Sequence, residues 1–167
     1  MSNVQADSRA VLHAGEVSRF IASAALLAFA LAGADLIFAC TYWHQLYAVP
    51  WSRLVQNIAS GLLGKRSFAG GAHTVVLGVL LQYAMMSIMV GAYYALSTRL
   101  RVLRERPWLC GLLYGVSLYV AMNFVVVPLS AAAKGPVVPS WIVGSIVAHL
   151  MIGLAIAHGA RWASKHG

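Results

Sequence analysis

Asp35, Gln82, Asn123 and His149 are polar side chains able to exchange hydrogen bonds or protons, and each stands inside a long apolar run. Asp35 is the sharpest of them. The other acids, Asp7, Glu16 and Glu105, fall in segments that read as water-facing, so Asp35 is the one acid embedded in apolar sequence. A charged side chain at the centre of a bilayer costs about 2.5–3.5 kcal/mol on insertion scales, and intramembrane ionisable groups pair or line a cavity. Histidine titrates near neutrality, which makes His149 the natural partner of Asp35 and proton binding the chemistry the pair could perform. Gln82 and Asn123 add amides that both donate and accept.

The elements that must position these groups are four apolar runs, 20–42, 74–98, 108–127 and 141–160, each long enough to cross a bilayer as a helix. With 60% apolar and 10% charged residues, the chain lies outside the range of soluble globular domains. The expected fold is all-α: a polytopic membrane protein built as a four-transmembrane-helix bundle with an outer interfacial amphipathic helix. The expected divisions are a cytoplasmic juxtamembrane segment (1–19), one membrane domain (20–160) and a cytoplasmic tail (161–167). About twenty polar or amphipathic residues precede the first run, which is too long for a signal core, so the expectation is a retained span.

Depth brings the four polar groups together. Asp35 lies seven residues from Tyr42, Gln82 eight from Thr74, Asn123 four from Val127 and His149 eight from Trp141. At 1.5 Å per residue, all four sit roughly 6–12 Å from the outer surface. In the first run Ala24, Ala28, Ala32, Asp35 and Ala39 share one face. Small residues let helices approach, so Ala28 and Ala32 are expected at a helix contact and Asp35 is expected to point inward. Two readings of the layer stay open: a protonatable cavity that passes or senses protons or a small solute, and a set of hydrogen bonds that fixes helix register.

Segment 50–63 follows an aromatic belt of Tyr42, Trp43, Tyr47 and Trp51. Its apolar stripe of Trp51, Leu54, Val55, Ile58 and Leu62 opposes Ser52, Arg53, Gln56, Asn57 and Ser60, the pattern of a helix lying in the interface; a surface helix packed across the mouth of the bundle is the other reading. Asp7 and Ser8 could cap a short lead-in helix, and Gly64, Lys65, Arg66, Gly70 and Gly71 read as a flexible connection. Gly111 and Gly115 form a G-x-x-x-G pair suited to close packing within the chain or between copies.

The net charge of +8 gathers at helix ends, which points to topology and away from nucleic acid. Arg9, Arg19, Arg99, Arg101, Arg104, Arg106, Arg161 and Lys165 fall on one side; Arg53, Lys65, Arg66 and Lys134 fall on the other. Eight against four places both termini in the cytoplasm of a bacterial inner membrane. Arg99, Arg101, Arg104 and Arg106 then face anionic lipid head groups.

Enzyme and cofactor chemistry find no support. There is no serine-centred nucleophile motif, no H-E-x-x-H pair and no phosphate-cradling glycine loop. Haem would want a second histidine at the depth of His149. His44 and His73 lack a third metal ligand, and Cys40 and Cys110 fall at opposite faces of the membrane. No metal or other cofactor is expected. Beside the cavity reading stands a non-transporting accessory subunit that docks other membrane proteins or anionic lipids, and a homo-oligomer suits either.

Pro107, Gly111, Tyr114, Gly115, Asn123 and Pro128, with Pro136, Trp141, His149, Leu150 and Gly153, make the last three helices resemble the YagU-like small inner-membrane proteins of bacteria. The resemblance implies a four-helix inner-membrane protein and carries over no site residues.

Overall fold

The computed structural model describes residues 2–132 and 138–166, with side chains from 15 to 132 and from 138 to 165. Lys134, Gly135 and Pro136 of the expected outer loop, and the side chains of Asp7, Ser8, Arg9 and His13, lie outside the described residues. Among the described residues every regular element is helical. In order these are α1 (Ser2–Tyr47), α2 (Trp51–Leu63), a 3-10 turn (Gly64–Ala69), α3 (Gly71–Arg99), α4 (Val102–Glu105) and α5 (Pro107–Ala121). A π-helical turn (Met122–Val126), α6 (Val127–Leu129) and α7 (Pro139–His166) complete the chain. Four of the helices are long and apolar enough to cross a membrane, within Gly15–Tyr47, Gly71–Arg99, Pro107–Leu129 and Pro139–Lys165, the pattern of a multi-pass membrane protein.

Both terminal helices run past the expected boundaries. α1 starts at Ser2, so Asp7 and Ser8 lie within the helix and not at its first turn. No proline interrupts the approach to the first span, and the helix runs through Gly15 into it without a break. α7 continues to His166 through the segment expected to be a tail. Arg161 and Lys165 favour that extension, since cations near a helix C-terminus complement its dipole, and Ala163 is buried. The π-helical turn precedes Pro128, whose nitrogen has no hydrogen to give the carbonyl of Phe124 and whose ring crowds it. The helical ladder loosens just upstream of that defect.

α5 packs along α7, α1 packs on α3 and α7, and α2 lies across α3 with a smaller contact to α1. Glycines set the closest approaches. A methyl group added at Gly111 would come within 2.9 Å of Leu154 Cα, and one at Gly115 within 2.5 Å of the His149 carbonyl oxygen. From the other side, one at Gly153 would meet the Gly115 nitrogen at 2.5 Å. The G-x-x-x-G pair is therefore taken up inside the chain and offers nothing to a docking partner. The core around this crossing includes Ala28, Ala32, Val90, Tyr93, Ile156 and Ala160.

α2 departs from its expected two faces. Only Val55 of the apolar stripe is buried, while Trp51 and Leu62 are exposed, and the buried face is Val55, Gln56, Ala59 and Ser60. Small residues there let α2 settle on α3, where the Val55 carbonyl occupies the space a side chain at Gly78 would need. Gln56 Nε2 donates to Gly71 O and Thr74 Oγ1, both at 3.2 Å, so burying this amide leaves it satisfied. The helix has three sides: one docked, one apolar and exposed, and one polar with Arg53 and Asn57. The glycine-rich connection is ordered as the 3-10 turn, with Gly64 at φ 58° and Ser67 Oγ donating to Gly64 O at 3.0 Å.

Candidate functional site

Asp35 sits on the face of α1 that carries Ala28 and Ala32. Counting 100° per residue, it lies within about 20° of Ala28 around the helix. Ala28 and Ala32 are buried and Asp35 is half-buried. From α3, Gln82 Nε2 donates to Asp35 Oδ2 at 2.7 Å. That length is at the short end for an N–H donor and falls in the range of bonds to an ionised acceptor. Among the described residues, none donates a hydrogen bond to Asp35 Oδ1. No buried side-chain oxygen or nitrogen among the described residues lacks a partner, so Oδ1 is reached from the surface.

His149 comes from α7 and lies within electrostatic range of Asp35, but no hydrogen bond joins them. Its Nδ1 stands 2.8 Å from the Ser145 carbonyl oxygen. A carbonyl only accepts, so Nδ1 carries the hydrogen and Nε2 is the nitrogen left to take up a proton. Tyr119 of α5 meets the imidazole edge-on, with ring centroids 5.6 Å apart.

Asn123 is not part of the group. It is exposed in the π-helical turn and donates through Nδ2 to Tyr119 O at 2.9 Å, one turn back on its own helix. Depth is right and direction is wrong: Asn123 lies twelve residues beyond Gly111, about 120° round the helix from the buried glycine face. Asn123→Ala is therefore expected to leave thermal stability in detergent within about 0.5 kcal/mol of wild type, as for surface positions generally.

Two neighbours of the site were not singled out from the sequence. Tyr119 continues the i, i+4 series of Gly111 and Gly115, which was the available signal. Tyr83 packs on Phe29 with ring centroids 5.0 Å apart, and its hydroxyl lies 3.3 Å from where a side chain at Gly33 would begin. Nothing in the sequence alone pairs those residues.

Elsewhere the aromatic belt gathers between α1 and α7. Tyr42 and Trp141 rings stand 5.0 Å apart, and Tyr42 Oη and Ser140 Oγ are 2.6 Å apart. Cys40 and Cys110 are both free thiols. Arg99, Arg101 and Arg106 are exposed and Arg104 is half-buried. Among the described residues, no three histidine, cysteine, aspartate or glutamate side chains gather as metal ligands would. Compared with known protein families, curated proteins and solved structures, the chain gives no significant match.

Proposed function

We propose that this chain is a bacterial inner-membrane protein of four spans, and that Asp35, supported by Gln82 and His149, is a proton-binding site that senses or passes protons. The observation that carries the reading is the 2.7 Å bond from Gln82 to Asp35. It fixes a carboxyl group between two apolar helices, within the field of the imidazole of a third. Two titratable groups in one another's field, one of them a carboxyl group with an oxygen not fully enclosed, are what proton uptake and release can use.

The topology that goes with this reading places both termini in the cytoplasm, on the strength of the arginine and lysine distribution. α2 then lies in the outer interface, with Trp51, Ile58 and Leu62 toward lipid and Arg53 and Asn57 toward water. Arg99, Arg101, Arg104 and Arg106, interleaved with exposed Leu100 and Val102, meet anionic head groups at the other face. The resemblance of the last three helices to YagU-like proteins, read from the sequence alone, fits the same picture. An accessory subunit is the competing reading, and the exposed arginine segment favours it. With Gly111 and Gly115 taken up against α7, such a subunit has to dock through another surface.

The test is the infrared carboxyl band of purified protein that disappears in Asp35→Asn. In the wild type this band is expected to grow as pH falls and to fade as it rises, reversibly, while the helical signal holds. A band that stays constant over the whole range in which the protein remains folded would assign Asp35 a fixed structural role.

A further inference from the structure

The largest buried cluster lies on one side of the polar group, while at the other side burial falls at Cys40 of α1 and along the seam where Val55 and Ala59 of α2 meet Thr74 and Gly78 of α3. α1 and α5 run in one direction and α3 and α7 in the other, so residues before Asp35, after Gln82 and after His149 all lie toward the same end. That end holds the cluster. Ala28 and Ala32 precede Asp35; Val90 and Tyr93 follow Gln82; Ile156 and Ala160 follow His149. Three hydroxyls in this half are occupied by main-chain carbonyls, and the Tyr94 hydroxyl meets Ser23, whose own hydrogen goes to Phe20 O at 2.8 Å. Tyr93 donates to Leu103 O at 2.9 Å, Tyr114 to Met89 O at 2.7 Å and Ser97 to Tyr94 O at 2.8 Å. Relay through such groups would need them to bond in series to one another or to water. Close packing without polar gaps leaves little room for water, and the glycine crossing of α5 on α7 closes the same half.

The α2 end is built differently. None of the described residues 138–148 of α7 and its approach is buried, and none of residues 119–132 beyond α5's last buried side chain is buried. α2 covers α3 there, and the Tyr42–Trp141 pair closes α1 against α7. α3 meets α5 through Tyr93, Tyr114 and Met89, all on the sealed side. The seam between α3 and the α5–α6 segment, bridged at its end where Ala131 N donates to Gly61 O of α2 at 2.9 Å, is thus the least packed flank of the site.

We propose that Asp35 exchanges protons with the α2 end alone, so that the site is a one-sided receptor for the pH at that face and not a conduit through the protein. This rests on the proton-binding reading above and decides between its two forms in favour of sensing. The groups that face Asp35 are Gln82 from α3 and His149 from α7, with Tyr119 of α5 behind the imidazole, Tyr83 of α3 turned to Phe29 and Gly33, and Cys40 farther along α1. α2 supplies no acid, and its Arg53 is turned outward over Phe68 at 4.1 Å.

The experiment uses the full chain in sealed liposomes of single orientation, with impermeant buffers setting the pH separately on each side. The readout is the Asp35 carboxyl band, taken as the difference between wild type and Asp35→Asn, together with the decay of an imposed pH gradient. The proposal expects the band to follow the pH on the α2 side, to ignore the other side, and the gradient to last as long as in empty vesicles. A band that follows the far side, or an Asp35-dependent loss of the gradient, overturns one-sidedness and leaves proton binding standing. A band that follows neither side overturns proton binding itself and the one-sided site with it.

Discussion

Gly115→Ala is expected to destabilise the folded protein by about 2–3 kcal/mol, at the upper end of what an added methyl costs in a packed core. Gly115→Leu is expected to separate α5 from α7 altogether. The size of the effect follows from what stands in the way. The new Cβ would lie 2.5 Å from the His149 carbonyl oxygen and 2.7 Å from Leu150 Cα, both main-chain atoms that can yield only if a whole helix moves. Gly153→Ala is expected to act equally, because it meets the same crossing from α7. Gly91→Leu is the control: it is a glycine in a span with nothing within 4 Å of its added Cβ, and it is expected to leave stability near wild type. Thermal unfolding in mild detergent reads all four variants. Because the obstruction at Gly115 is the backbone of His149, the surviving folded fraction of Gly115→Ala is also expected to lose the pH response of the Asp35 band. If Gly115→Leu folds normally and only its particle mass changes, the glycine pair is an interface between copies and α5 does not pack on α7 through it.

The legible parts of the site were those in which helical phase and depth agreed. Spacings of four and three between Ala28, Ala32 and Asp35 cancel the drift of an i+4 series, so the sequence alone held Asp35 on the packed face, and Gln82 reached it from α3. Asn123 matched in depth only. Strict steps of four from Gly111 drift about 40° each, enough by the third step to leave the packed face. Pro128 and the π-helical turn ahead of it then altered the local phase, which residue types do not announce. In α2 the apolar stripe was visible, but it marks one exposed flank of the helix and not the docked face. The docked face is set by small side chains and by Gly78 on another helix, a fit between two surfaces that neither segment displays by itself. The glycine pair was visible as a motif, while its partner Gly153 on α7 could be assigned only once the crossing was known.

Gln82→Leu is expected to cost about 1.5–3 kcal/mol, because it removes the donor to a half-buried carboxyl group and leaves Oδ2 without a partner. Asp35→Leu alone strands the Gln82 amide, and the double variant strands nothing, so replacing both partners with apolar groups is expected to recover most of the loss. The coupling energy from that cycle says what kind of bond this is. Polar bonds between membrane helices average about 0.6 kcal/mol and reach about 1.7 at most in one well-measured case. A value near the average would make Gln82–Asp35 an ordinary pin between α1 and α3, such as a neutral acid or an asparagine would make equally well. In that case Asp35→Asn restores full stability and the proton-binding reading loses its main support. A coupling at or above the upper value requires a charged acceptor, since a charge-assisted bond is roughly twice as strong as a neutral one, and Asp35→Asn then recovers only part of it. The second outcome is the one the proton-binding reading expects, because only an acid that is ionised in the folded protein has a charge to lose when the pH at the α2 end falls.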